Sequence, residues 1–86
     1  MRVRIPSPLR SYTDRAANVQ AHGATVGDVL SDLDRLFPGI CFRVVDEQGR
    51  LRPHMRVFIN DEMVRDLSTV LNPDDELTLM QALSGG

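Results

Sequence analysis

Hydrophobic and polar positions alternate with a period of two at both ends of this chain, and a helical stripe lies between them. Arg2-Val3-Arg4-Ile5 alternates polar with apolar, as a half-buried strand does. Pro6 and Pro8 end it, because proline offers no N–H to a ladder. Residues 9–14 carry no clear period and read as a loop. In the next stretch Ala17, Val19 and Ala21 fall on one face, with Asn18, Gln20 and His22 on the other. It reads as a second strand, and His22-Gly23-Ala24 as the turn that follows.

Residues 25–37 form the clearest element. Val26, Val29, Leu30, Leu33 and Phe37 recur at helical spacing, and Leu36 widens the stripe. Asp28, Ser31, Asp32, Asp34 and Arg35 take the polar side. Thr25 is placed to cap the helix, with Asp28 three residues on as a short capping box. Pro38-Gly39 stops it. The apolar stripe is the face that packs on a sheet.

Residues 40–46 support two readings. Ile40, Cys41, Phe42, Val44 and Val45 have strand propensity, whereas the spacing of Ile40 with Val44 and Val45 also fits one helical turn. Glu47-Gln48-Gly49 is a turn, followed by a basic stretch from Arg50 to Arg56. Residues 55–60 read as a strand closed by an Asn60-Asp61 turn. Residues 62–71 read as an irregular crossover anchored by Val64, Leu67, Val70 and Leu71. In Asn72-Pro73-Asp74-Asp75, proline fixes φ while Asn and Asp accept local backbone hydrogen bonds. Residues 76–81 form the last strand. The expected architecture is α+β: a mixed sheet packed on one main α-helix, with a domain over residues 1–81 and a flexible tail over 82–86.

Composition narrows the function. Eighty-six residues, 42% hydrophobic and 26% charged, fit one soluble globular domain. No apolar run has the length of a membrane span, and the first residues lack a signal-peptide core, so the expected location is the cytoplasm. A net charge of −2, with basic residues spread along the chain, gives no reason to expect nucleic acid. The single cysteine, Cys41, reads as a small hydrophobe. Neither histidine is near it in sequence, and Cys41, His22 and His54 are too scattered to argue a metal site. His54, beside Pro53, reads as a surface residue at a strand start. No phosphate loop or catalytic triad is present, so no catalytic residue is expected.

The chain ends in Ser84-Gly85-Gly86. Two glycines without Cβ atoms put the terminal carboxylate on a thin thread able to enter a narrow slot in another protein. All ten basic residues are arginine. With no lysine side chain, the Met1 α-amine is the only amine of the chain that could attack an activated carboxyl on another copy. That suits a carrier whose tail is activated repeatedly.

Strand–strand–helix–strand–strand ending in diglycine resembles the ubiquitin-like β-grasp fold. The stretch from Asn60 to Arg65, the later Asn72-Pro73-Asp74-Asp75-Glu76-Leu77 and the ending Ala82-Leu83-Ser84-Gly85-Gly86 resemble the MoaD/ThiS family of sulfur carriers. Ile5-Pro6-Ser7-Pro8-Leu9-Arg10 and Gly49-Arg50-Leu51-Arg52-Pro53-His54 look most like its CysO branch, which serves cysteine synthesis. In that branch residues like 40–46 form a helical turn. The chain departs from the family pattern at Gln81, where proline is common, and at Asp74, where glycine is common. Neither departure touches the tail.

The resemblance implies a carrier cosubstrate with no bound cofactor. An E1-like adenylating enzyme would use ATP to activate Gly86, and a sulfur nucleophile, typically a partner's persulfide, would displace AMP on the way to a C-terminal thiocarboxylate. In the CysO branch a pyridoxal-phosphate cysteine synthase and a zinc metallopeptidase would be further partners. Other carriers of the family serve molybdopterin synthase, thiazole formation or tRNA thiolation, and a ubiquitin-like protein modifier is the competing reading from another class. A third reading is a β-grasp interaction module whose diglycine is incidental. If Val57, Ile59, Leu77 and Leu79 face the helix, alternation turns Arg56, Phe58, Asn60, Thr78 and Met80 outward. Phe58, Met80 and Leu83 then form an expected docking patch beside the tail, with Arg4 and Arg56 at its rim.

Overall fold

The computed structural model describes residues 1–82. Strands β1 (Arg2–Arg4), β2 (Asn18–Gln20), β3 (Met55–Ile59), β4 (Glu62–Val64) and β5 (Leu77–Gln81) form one sheet in the order β2-β1-β5-β3-β4. β1 and β5 are parallel, and the other neighbours are antiparallel. Helices α1 (Val26–Leu36) and α2 (Ile40–Val44) make the second layer. The expected two-layer α+β arrangement is present.

The core follows from the two periodicities. Val26, Val29, Leu30 and Leu33 bury the inner face of α1 against Val3, Met55, Val57, Leu77 and Leu79 of the sheet. Leu36 stays 41% exposed, so the stripe is narrower than its spacing implies. The Thr25 hydroxyl accepts from the Asp28 N–H at 3.2 Å, as the capping pattern requires. Two further helix-start donors, the N–H groups of Val26 and Gly27, reach the carbonyls of Thr69 and Leu67 at 3.1 and 2.8 Å. The crossover after β4 is therefore fastened by its backbone across the start of α1.

That fastening explains one correction. Val70, expected as an apolar anchor, is 73% exposed, because it bridges Thr25 through its main chain; the following Leu71, also expected as an anchor, is buried. Two further elements differ from the sequence reading. Residues 62–64 are β4, hairpinned to β3 with Ile59 opposite Glu62. The stretch 9–14, read as loop, falls largely in a 3₁₀ helix over Ser7–Thr13 that buries Leu9 and Thr13. The Thr13 hydroxyl donates to the Ala16 carbonyl at 2.8 Å. Val19 of β2 is half-buried and Ala21, just after the strand, is buried, but Ala17, just before it, is exposed.

Residues 40–44 settle as helix. Ile40 and Val44 lie on one face and are buried, and the Asp34 carboxylate accepts from the N–H groups of Gly39 and Cys41 at 3.0 and 3.2 Å. Gly39 takes φ +97, which a side chain resists. Gly23 is demanded by proximity: a Cβ there would sit 2.6 Å from the Val29 nitrogen and 2.7 Å from Asp28 Cβ. Asp32 ties α1 to the end of β2, accepting from His22 N–H at 2.8 Å and from Arg35. Those donors hold its carboxyl below the ordinary carboxylate range, the backbone N–H being the larger cause.

Two predictions follow from this packing. Gly23→Ala pushes strand end and helix apart and lowers stability by about 1–3 kcal/mol, read from the urea midpoint. Asp32→Asn destabilises at neutral pH. Because the folded-state pKa is depressed, the Asp32 contribution is complete above the unfolded value of about 4 and fades as pH falls through the lower folded value. The stability gap between the two proteins should therefore close on acidification below about pH 4, in denaturation curves taken at a series of pH values.

Candidate docking face and tail root

β5 leads directly toward the diglycine, and its two neighbours hold it unequally. Along β3 the register runs to Met55 opposite Gln81, and beyond it the Ala82 N–H still donates to the His54 carbonyl at 2.7 Å. Along β1 the pairing stops at Arg4 opposite Thr78. Pro6 has no N–H to continue that ladder, and its carbonyl accepts from Leu9 at 2.9 Å to start the 3₁₀ helix. The last residues of β5 therefore run along an open groove of about 550 Å³, with Arg4 and Arg10 among its walls.

The antiparallel register puts the expected patch residues together. Phe58 lies opposite Thr78, Thr78 beside Arg4, and Arg56 opposite Met80. Their inward neighbours Val57, Leu77 and Leu79 are buried, so the alternation behind the expectation is the alternation in the sheet. Arg4, Phe58, Thr78 and Met80, with Asn60 and Asp61, line a shallow depression of about 250 Å³ on the outer face. Met80 is 50% exposed and Phe58 half-buried. Leu83, Ser84, Gly85 and Gly86 lie outside the described residues.

Three features were not read from the sequence. Met63 of β4 stands opposite Phe58 and is 48% exposed, enlarging the apolar area; its signal was the two-residue Asn60-Asp61 link typical of a hairpin. Glu76 brackets the arginines of β1, 3.0 Å from Arg2 and 4.0 Å from Arg4, so Arg4 carries a partner. These are exposed pairs, worth little to stability. Arg56 turns its guanidinium back to the carbonyls of Pro53 and Met55 at 2.7 and 2.9 Å, outside the depression.

Asn60 holds this face in register. It takes φ +56, and its side chain accepts from the Glu76 N–H at 3.1 Å while donating to Asp75 at 2.9 Å. One asparagine thereby joins the β3–β4 hairpin to the turn that starts β5. Asparagine tolerates the left-handed region better than other side-chain-bearing residues. Cys41 is half-buried against the core, and burial first, then the Asp34 carboxylate, pushes its thiol pKa up, which disfavours the nucleophilic thiolate.

Comparison with known proteins agrees with the fold. The chain matches the ThiS family over residues 3–86. It is 37% identical to the sulfur carrier protein CysO of Mycobacterium tuberculosis, over 98% of this chain and 96% of that protein. The crystal structure of that CysO superposes with a TM-score of 0.90, covering 95% of this chain and 98% of the other at 36% identity. The Amycolatopsis orientalis BexX/CysO complex contains a chain that matches with a TM-score of 0.92 and 36% identity, covering 99% of this chain and 98% of its own. Small archaeal modifier protein 3 of Haloferax volcanii is 35% identical over 73% of this chain and 71% of that protein. The chain belongs to the ThiS family, within the MoaD/ThiS group of ubiquitin-like β-grasp proteins.

Proposed function

We propose that this protein carries sulfur as a thiocarboxylate on Gly86 and delivers it to cysteine synthesis. The observation that supports this best is the likeness to CysO along nearly the whole chain, with the final strand leading straight to Ser84-Gly85-Gly86. A carboxylate is a poor electrophile because oxide is a poor leaving group. Adenylation by ATP in a partner enzyme gives an acyl adenylate and pyrophosphate. Hydrosulfide can then displace AMP and leave the thiocarboxylate directly. A partner's persulfide would leave an acyl disulfide, which a thiol must reduce to release the same product.

Under this reading the body of the protein is a handle and the reacting group is its terminus, so the catalytic groups belong to the partners. The outer depression around Phe58, Thr78 and Met80, with Met63 beside it, docks the adenylating enzyme. Aromatic, methionine and arginine side chains are the types enriched at interface cores. A synthase binding an aminoacrylate on pyridoxal phosphate would take the thiocarboxylate as nucleophile. It would leave cysteine attached through Gly86 for a zinc metallopeptidase to release. The modifier reading draws its support from the archaeal relative. It is separated by searching other proteins for diglycine remnants on lysine.

Intact mass of the protein from its native cells tests the central claim: a fraction heavier by one oxygen-to-sulfur exchange is expected. A chain lacking Gly85 and Gly86 should form no adenylate and support no sulfur transfer; normal sulfur transfer by that chain would remove the proposal. Incubation of the thiocarboxylate form with the cysteine synthase and O-phosphoserine should add a cysteine to Gly86. No such adduct would leave the carrier role standing without the cysteine branch. Met80→Asp with Phe58→Ala should cut kcat/KM for adenylation by about tenfold or more, the scale of losing central interface anchors.

A further inference from the structure

A second surface meets the root of the tail, on the opposite side of the sheet from Phe58 and Met80. The pairing of β5 places Gln81 on the helical-layer side, after buried Leu77 and Leu79. There the hollow between the 3₁₀ helix, α2 and the start of β3 has a volume of about 340 Å³, and its walls include Tyr12, Arg43, His54 and Gln81. A second hollow of about 260 Å³ adjoins it, formed by Phe42, Arg43, Arg52 and His54. His54 is the residue whose carbonyl receives the Ala82 N–H, so both hollows flank the point where the chain leaves the sheet.

The charge at this corner is one-sided. The chain holds twelve acidic residues against ten arginines, yet no aspartate or glutamate lines either hollow. Arg43 and Arg52 are each fixed by a neutral acceptor. The Arg43 Nε donates to Tyr12 Oη at 2.7 Å, and the Arg52 Nε donates to the Phe42 carbonyl at 2.7 Å. Among the described residues, the arginines within 4.0 Å of a carboxylate are Arg2, Arg4 and Arg35. Arg43 and Arg52 are thus oriented in advance with no carboxylate within 4.0 Å, Asp46 acting on Arg52 only from farther away, which lowers the ordering cost of binding.

The aromatic at the corner indicates what kind of partner fits. Phe42 is 56% exposed, and the Arg52 guanidinium lies 4.7 Å from its ring centroid. A small anion would engage the guanidinium groups and leave the ring unused. A protein surface uses both, and an exposed aromatic stacked with arginine has the composition of binding hot spots. We propose that Phe42, Arg43, Arg52 and His54 form a docking surface for an acidic patch on the enzyme that receives the tail. That enzyme would grip the tail root from the helical-layer side while the outer face carries the apolar contact. The identity of the enzyme rests on the carrier reading; the acidic character of what binds does not.

Two experiments test it. First, the labelled protein is titrated with a synthetic peptide of alternating glutamate and leucine at fixed ionic strength. Amide shifts are expected at Tyr12, Phe42, Arg43, Arg52, His54 and Ala82. Arg43→Glu with Arg52→Glu should abolish them, Phe42→Ala should weaken them, and Arg65→Glu, outside both hollows, should leave them unchanged. Shifts centred elsewhere, no shifts at all, or equal shifts from inorganic phosphate without dependence on Phe42 would each overturn the proposal. Second, the Arg43/Arg52 double reversal should raise KM for the adenylating enzyme about tenfold, with kcat held and the effect shrinking at high salt. If that variant is adenylated like the unaltered protein while the chain lacking Gly85 and Gly86 is not, the surface is wrong and the carrier role stands. If the unaltered protein is never adenylated, the carrier role fails and the peptide titration still decides the surface.

Discussion

Unequal pairing along β5 is the constraint on which the exposed end of that strand depends. β3 accompanies β5 to its last residue, whereas β1 leaves after Arg4 because Pro6 cannot donate and its carbonyl is taken by Leu9. The parallel partner gives up the strand early and the antiparallel partner keeps it. The root of the tail is therefore fixed on one side and open on the other. Leu77 and Leu79, buried against α1, hold β5 in this register, since a slip of one residue would turn them to water and bring Thr78 and Met80 inside.

Under the proposed carrier reading the terminus is presented to other proteins, which then need something to hold beside it. Two different faces meet at Gln81 and Ala82. The outer face is apolar at its centre, with Phe58, Met63 and Met80 brought together by three strands. The helical-layer side is cationic, with Arg43 and Arg52 oriented by neutral acceptors. Apolar contact supplies burial, while charge supplies orientation and association rate. Under that reading, the enzymes that load and unload the carrier would have to release it after each step. A surface divided between a modest apolar area and screened charge suits such exchange better than one large hydrophobic interface.

The elements visible in the sequence were those whose signal is local. The stripe Val26, Val29, Leu30, Leu33 with its Thr25 cap marked α1, and alternation marked β1, β3 and β5. The same alternation gave the outward sense of Phe58 and Met80. Features that depend on distant partners were not legible. β4 is three residues long, too short for a period to show, and exists because β3 offers it a ladder. Val70 has the apolar character of an anchor, as Leu71 has, but a backbone bridge to Thr25 turns Val70 outward and leaves only Leu71 buried. Arg4 and Arg56 were placed together at a rim. Glu76 engages the first, and the carbonyls of Pro53 and Met55 engage the second.

The amino-acid sequence by itself determined the order and kind of the main elements, the identity of the inward faces and the diglycine ending, since periodicity, capping and glycine chemistry act between near neighbours. It also carried the family resemblance, because motif order and spacing survive without coordinates. Tertiary structure alone decided which face residues become neighbours, where β1 abandons β5, and that Phe42, Arg43, Arg52 and His54 gather at the tail root. Those outcomes arise from contacts between segments about ten to more than seventy residues apart, from Phe42 with Arg52 to Arg4 with Thr78, and no local rule relates their side chains until the chain is packed.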